Sequence, residues 1–172
     1  GISPSSQIEF HDLDSGKIRD TVNTNILGTL YGSKAAISVM KGTGGFIYNM
    51  EGFGSNGSIR KGMSVYGMTK NSLAYIRKAL SLEYKGTDIK ICAIQPSMVI
   101  TNLVMGEPGT KFDKQTYWVF NILSDTPENV AKRIVPMIKS NMKGNKILKY
   151  SSTGKLIWKF FAKKTFAKFL IP

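Results

Sequence analysis

One cysteine, Cys92, and one histidine, His11, stand in 172 residues. A single cysteine excludes an intramolecular disulfide and any thiol-rich metal site. Cys92 lies in a strand-like apolar run, where a buried, inert thiol is the ordinary reading. A zinc site would need mostly carboxylates, so no metal is expected. A Ser-His-Asp or Cys-His triad would have to use His11, around which no supporting motif stands. No run approaches the roughly 18 apolar residues of a membrane-spanning helix, and there are no internal repeats. No G-x-G-x-x-G or G-x-x-x-G-x-G follows an apolar run, so the phosphate cradle of dinucleotide-binding domains is missing. The one glycine cluster, Lys41-Gly-Thr-Gly-Gly45, precedes a strand and reads as a helix-to-strand turn.

Acidic residues are also scarce, 11 against 24 lysines and arginines, for a formal net charge of +13. That excess has a bland reading, a lysine-rich surface, and a functional one, attraction to an anionic surface. Lysines concentrate at the end of the chain. Lys155, Lys159, Lys163, Lys164 and Lys168 lie among Trp158, Phe160, Phe161, Phe166 and Phe169. Residues 151–172 therefore read as a basic amphipathic segment. Such a segment binds a membrane interface, or packs on a neighbouring subunit or on a part of the fold outside these residues. The lysines alternate with apolar residues in no recognised nucleic-acid motif, so no nucleic-acid partner is expected.

The length fits one domain or a large piece of one. Gly44–Met50 and Asp88–Gln95 read as buried strands. Asp12-Leu-Asp-Ser-Gly-Lys17 begins with capping residues and leads into helices through Met40, with Thr21–Gly28 near the start of a long periodic one. Another helix runs from Ser64, or the glycine before it, to about Tyr84, ending near Gly86. Asn102–Thr126 is loop-rich, with Gly106, Pro108 and Gly109. Its Tyr117, Trp118 and Phe120 line a large apolar pocket or belong to the core. Thr126 and Pro127 form a helix start signal, and Lys146–Tyr150 is the last strand. Strand, loop, helix and strand in this order make an α/β arrangement with a parallel sheet. Ligands of such sheets bind at the carboxyl ends of the strands.

Tyr66 and Lys70 occur in Ser64-Val-Tyr-Gly-Met-Thr-Lys70, four residues apart and hence on one helix face. A phenol titrates near 10, and a neighbouring ammonium favours the phenolate. The pair is thus a candidate general acid/base, with a pKa expected to be lowered by Lys70. Asn49 closes the first strand, a Gly/Ser/Asn loop follows, and Pro96-Ser-Met-Val-Ile-Thr101 follows the second.

Together with Thr21-Val-Asn-Thr-Asn25, these segments resemble the short-chain dehydrogenase/reductase family along nearly the whole chain. The resemblance implies a Rossmann-like parallel sheet flanked by helices over residues 1–150. It makes Tyr66 the proton donor to a carbonyl and Lys70 its partner and the holder of the nicotinamide ribose. Asn25 extends a proton relay, and Pro96, Ser97, Met98, Val99 and Thr101 border the nicotinamide. Ser97 replaces a family glycine, which reduces backbone freedom there. The family's Asn-x-Ser-Ser is not kept, since Glu51 and Gly52 follow Met50. The nearest suitable hydroxyl before the helix is Ser55, with Ser58 second; a role for neither is the third reading.

Asn49-Met-Glu-Gly-Phe-Gly-Ser-Asn-Gly57 is similar to one branch of the family, the chlorophyll b reductases. So are Tyr66–Lys70, Pro96–Met105 and Phe120–Val130. That likeness implies NADPH-dependent reduction of a tetrapyrrole 7-formyl group, homo- or hetero-oligomers, and a thylakoid-associated place in the chloroplast; otherwise the cytoplasm. Another carbonyl, such as a ketoacyl thioester or retinoid, is the alternative within enzymes. An inactive partner subunit is the alternative outside them. Gly1-Ile-Ser-Pro looks like the tail of the family's Asn-Asn-Ala-Gly segment, which places Gly1 at the cofactor. On that likeness the sequence begins mid-fold without its N-terminal strands, and these residues alone are expected to be inactive.

Overall fold

A computed structural model describes residues 1–4, 8–106, 110 and 112–151. They divide into two compact units. The first holds Gly1–Gln95 and Met142–Ile147, the second Pro96–Asn141 and the chain from Leu148. The basic segment expected at 151–172 lies outside the described residues, apart from Ser151.

In the first unit, the Asp14 carboxylate accepts the Lys17 N–H at 2.9 Å and caps α1, Ser15–Val22. The helical run passes through a π turn, Asn23–Leu27, into α2, Gly28–Met40. The helices expected to follow the capping residues of Asp12–Lys17 are present, and the π turn interrupts them near the start of the long periodic one. At the interruption the Gly28 N–H reaches back five residues to the Asn23 carbonyl. The Thr29 hydroxyl donates to the Asn25 carbonyl at 2.8 Å and competes for the ladder there.

Strand β1, Gly45–Met50, pairs in parallel with β2, Ile89–Gln95, from Gly45 opposite Ile89 to Met50 opposite Ile94. A parallel pair needs a crossover, supplied by α3, Ser64–Glu83. Helix α3 buries Val65, Thr69, Leu73 and Ile76 along one stripe. Ile37 of α2 packs with Ile89 and Ile91, flanked by Met40, Ile47, Leu80 and Tyr84. The sheet order is β1-β2-β5, so β2 is central. Its unbroken apolar run follows from burial on both faces: Ile91, Cys92 and Ala93 are at most 1% exposed. The chain returns along β2, where Asn145 N–H donates to the Ile91 carbonyl at 2.7 Å and Ala93 N–H to the Lys146 carbonyl at 2.9 Å. Strand β5, Ile147–Lys149, begins there. The Glu51 N–H donates to the Ile94 carbonyl at 3.0 Å, carrying the β1 ladder one residue past the strand. The loop after β1 thus leaves from the carboxyl edge of the sheet.

In the second unit, β3 (Met98–Val99) pairs in parallel with β4 (Ser124–Asp125). Short helix α4, Asn102–Met105, follows Thr101. The expected loop is largely replaced by α5, Lys114–Leu123. Asp113 caps it by accepting the Thr116 N–H at 2.7 Å, and no glycine or proline interrupts it. Phe120 is core, stacked edge-on against Phe112, whereas Trp118 is exposed. Helix α6, Pro127–Lys139, starts at the Thr126 cap with Pro127 in its first turn. Tyr150 donates to Asp125 Oδ2 at 2.6 Å. Burial first, and then Asp125, pushes the Tyr150 phenol up to about 12.

Candidate active site

Helix α3 presents Tyr66 and Lys70 one turn apart, both beneath the loop that follows β1. Lys70 is 5% exposed. Its ammonium donates to the Met50 carbonyl at 3.0 Å and stands 5.6 Å from the centre of the Tyr66 ring. Burial pulls the Lys70 pKa below its ordinary value, and the Glu51 carboxylate acts in the opposite direction. Burial also raises the Tyr66 phenol above its ordinary value. The expected lowering by Lys70 is therefore not what the geometry gives. The ammonium is tied to a strand carbonyl over the ring, and loss of water at the hydroxyl sets the direction. Tyr66 stays a protonated acid through the neutral range.

Asn25 sits inside the π turn, buried. Its side chain accepts the Ile2 N–H and donates to the Ile2 carbonyl, each at 2.8 Å. Its amide nitrogen also donates to the Thr69 hydroxyl at 3.0 Å, which donates in turn to the Tyr66 carbonyl at 2.7 Å. Asn25 is thereby fixed to the turn of α3 between Tyr66 and Lys70. A π turn lets one side chain depart from the regular helical spacing, and such turns recur at functional sites. Gly1 closes the group. A Cβ there would lie 2.6 Å from Asn25 Oδ1 and 3.2 Å from Lys70 Nζ.

Two glycines bring the loop onto α3. Gly54 has φ +94°, and a Cβ on it would strike the Gly67 backbone at 2.6 Å. A Cβ on Gly52 would lie 2.9 Å from the Tyr66 hydroxyl. The Ser55 hydroxyl donates to the Gly52 carbonyl at 2.7 Å. Ser55 and Tyr66 therefore both abut Gly52. Ser58 is exposed, its N–H turned to the Asn56 side chain at 3.1 Å. Of the two serines weighed from the sequence, Ser55 is the one brought to the site.

Pro96, Ser97, Met98, Val99 and Thr101 belong to the second unit. Ser97 has φ 66°, the left-handed region where the family places glycine. Met98 and Val99 form β3, and the Thr101 hydroxyl donates to the Val99 carbonyl at 3.3 Å. His11 is exposed between Glu9 and Asp12.

Sequence reasoning noted Glu51 only as a mark of resemblance and missed its partners. Glu51 Oε1 accepts Arg77 Nε–H at 2.8 Å, with side chains 1% and 5% exposed. Gln95 Nε2 donates to Glu51 Oε2 at 2.9 Å. The available signal was Arg77 itself, a charge inside the apolar stripe of α3 near Leu73 and Ile76.

A family model described as enoyl-(acyl carrier protein) reductase matches residues 1–154. The chain belongs to the short-chain dehydrogenase/reductase family. Among curated proteins it is similar to the probable chlorophyll(ide) b reductase NYC1, chloroplastic, of Arabidopsis thaliana. The two are 32% identical over 152 residues, 87% of this chain and 29% of that protein. The chlorophyll(ide) b reductase NOL, chloroplastic, of the same plant is 33% identical over 126 residues, 70% of this chain and 35% of that protein. The chain thus spans about a third of the length of each of these two relatives. Among solved structures, ElxO with NADP bound superposes with a TM-score of 0.71 at 25% identity, covering 87% of this chain and 62% of ElxO. That agrees with the parallel sheet flanked by helices expected from the sequence.

Proposed function

We propose that the chain is part of an NADPH-dependent carbonyl reductase that converts the 7-formyl group of chlorophyll(ide) b to a hydroxymethyl group in the chloroplast. One observation carries the reading: Tyr66 and Ser55 converge on Gly52, with Lys70 one turn along α3 and Asn25 bonded to Thr69 between them. The relatives' names supply the substrate, the compartment and the tetrapyrrole scale of the ligand.

A nicotinamide dinucleotide would be held, in the first unit, by Lys70, Asn25, Tyr66 and Gly1. The donor set near Lys70 fits a ribose diol. An ammonium has three N–H donors, and one is given to Met50. The missing Cβ of Gly1 lets its backbone approach Asn25 Oδ1 and Lys70 Nζ more closely than any side chain would allow. When bound, that cofactor supplies the hydride.

The chain's own residues manage the carbonyl oxygen. Ser55 turns its hydroxyl from the Gly52 carbonyl to the substrate oxygen as negative charge grows there. Tyr66, held protonated by burial, delivers its proton to that oxygen. The charge left on the phenol is then stabilised by Lys70, whose positive charge Glu51 helps to preserve. Asn25 fixes the helix turn on which this transfer occurs and extends a relay by which Tyr66 is reprotonated. Contact with the thylakoid surface and assembly into oligomers belong to the same proposal.

The test is NADPH oxidation by the full-length protein with chlorophyllide b as substrate. Turnover that Tyr66→Phe abolishes supports the reading. Activity confined to acyl thioesters or retinoids overturns the pigment assignment, and equal rates with NADH overturn the cofactor preference.

A further inference from the structure

Arg77–Glu51 is the buried salt bridge among the described residues, and the chemistry above gives it no complete account. Taking two charges out of water offsets most of their mutual attraction, so stability alone is a weak reason to keep such a pair. Its geometry shows what it holds. Arg77 donates through Nε to Glu51 Oε1 at 2.8 Å, and through Nη1 to the Asn145 side-chain oxygen. The other carboxylate oxygen accepts Gln95 Nε2–H at 2.9 Å. A carboxylate only accepts, so it fixes which end of the Gln95 amide faces it. The same nitrogen stands 3.5 Å from Ser55 Oγ, longer than an ordinary N–H···O bond of about 2.7–3.2 Å and close enough to tighten into one. The partners come from α3, the end of β1, the end of β2 and the loop between β1 and α3.

We propose that Arg77, Glu51 and Gln95 are positioning residues that set where the Ser55 hydroxyl presents its proton. The proposal rests on the carbonyl-reductase reading of the site. An N–H on a lone pair of Ser55 holds the oxygen while leaving its own proton free to swing. That proton lies on the Gly52 carbonyl, 2.7 Å away, and a substrate oxygen beside Tyr66 competes for it. A donor to Ser55 also polarises the hydroxyl and strengthens it as a donor. The chain thereby replaces the family's Asn-x-Ser-Ser arrangement with a serine farther along the loop, steered from the sheet by an amide and an ion pair.

A double-mutant cycle between Ser55→Ala and Gln95→Leu in the full-length protein tests this, read with whichever carbonyl the wild type reduces. Gln95→Leu alone is expected to lower kcat about tenfold, against roughly 100-fold for removal of an oxyanion donor. KM for NADPH and Tm should change little. In the Ser55→Ala background the same substitution should change kcat less than about twofold, because its target is gone. Losses that multiply, or a Ser55→Ala variant with full kcat, overturn the proposal. A wild type that reduces some other carbonyl removes the pigment assignment only, and the cycle is still read. A wild type that reduces no carbonyl removes the functional reading. Amide exchange then decides the network: Gln95→Leu should speed exchange over residues 52–57, and unchanged protection there overturns it.

Discussion

A side chain on Gly52 would place its Cβ 2.9 Å from the Tyr66 hydroxyl. That distance is below any ordinary contact with carbon, so the phenol and the loop cannot both stay where they are once a methyl group is added. Gly52→Ala is expected to lower kcat by about 100-fold, the scale of an ångström misplacement of a reacting group. Thermal unfolding should shift by only a few degrees, because the methyl faces the site and not the core. Steady-state kinetics beside calorimetry checks this, and an unaffected kcat would show that Tyr66 acts from another position.

Alkaline stability should report the burial of Tyr66. Its folded pKa lies above the ordinary 10.0. Between those two values the unfolded chain loses a proton that the folded chain keeps, so stability is lost as pH rises above about 10. Lys70 acts with the opposite sign. Its folded pKa lies below 10.5, so stability is gained as pH rises toward the unfolded value. Tyr66→Phe should keep its Tm better than the wild type above pH 10, and Lys70→Met should lose the gain below it. Tm measured from pH 8 to 11 on the three proteins separates the two effects.

Breaking the Arg77–Glu51 pair from one side should be severe. Arg77→Met leaves a buried carboxylate with its main partner removed, which costs about 3–5 kcal/mol. Replacing both residues with apolar ones should recover most of that loss, since no charge is then stranded. Urea unfolding of the single and double variants tests the contrast, and equal destabilisation of the two would sink it.

Ser97 holds a left-handed φ of 66°. A side chain there carries about 1–2 kcal/mol of backbone strain, and glycine returns part of it through the freer unfolded chain. Ser97→Gly is therefore expected to stabilise by about 0.5–1 kcal/mol, a rise of a few degrees in Tm for a domain of this size. A lower Tm would mean that the serine makes a compensating interaction.

Tyr66 and Lys70 were legible in the sequence as a pair because the spacing of a helix turn fixes which side chains share a face, whereas Asn25 was read from the family resemblance alone. Ser55 was legible by its distance from Tyr66. Burial is not written in that spacing, so the direction of the Tyr66 shift required the fold. The Glu51–Arg77 and Glu51–Gln95 contacts join residues 26 and 44 positions apart, and only the pairing of β1 with β2 across α3 brings them together. The π turn was invisible because it changes the helical period for one turn alone. Helix α5 was missed since Gly106, Pro108 and Gly109 outweighed the Asp113 cap and the breaker-free run after it.

Cys92 is 0% exposed in the middle of β2, its thiol donating to the Lys143 carbonyl at 3.3 Å. Maleimides and alkylating labels need a thiolate they can reach, so the native thiol should stay silent while the chain is folded. A cysteine introduced at exposed Ser58 would then be the one reactive handle in this chain, with no native residue to remove first. A fluorophore or spin probe there would follow the loop over Tyr66 as substrate arrives, against a dark background.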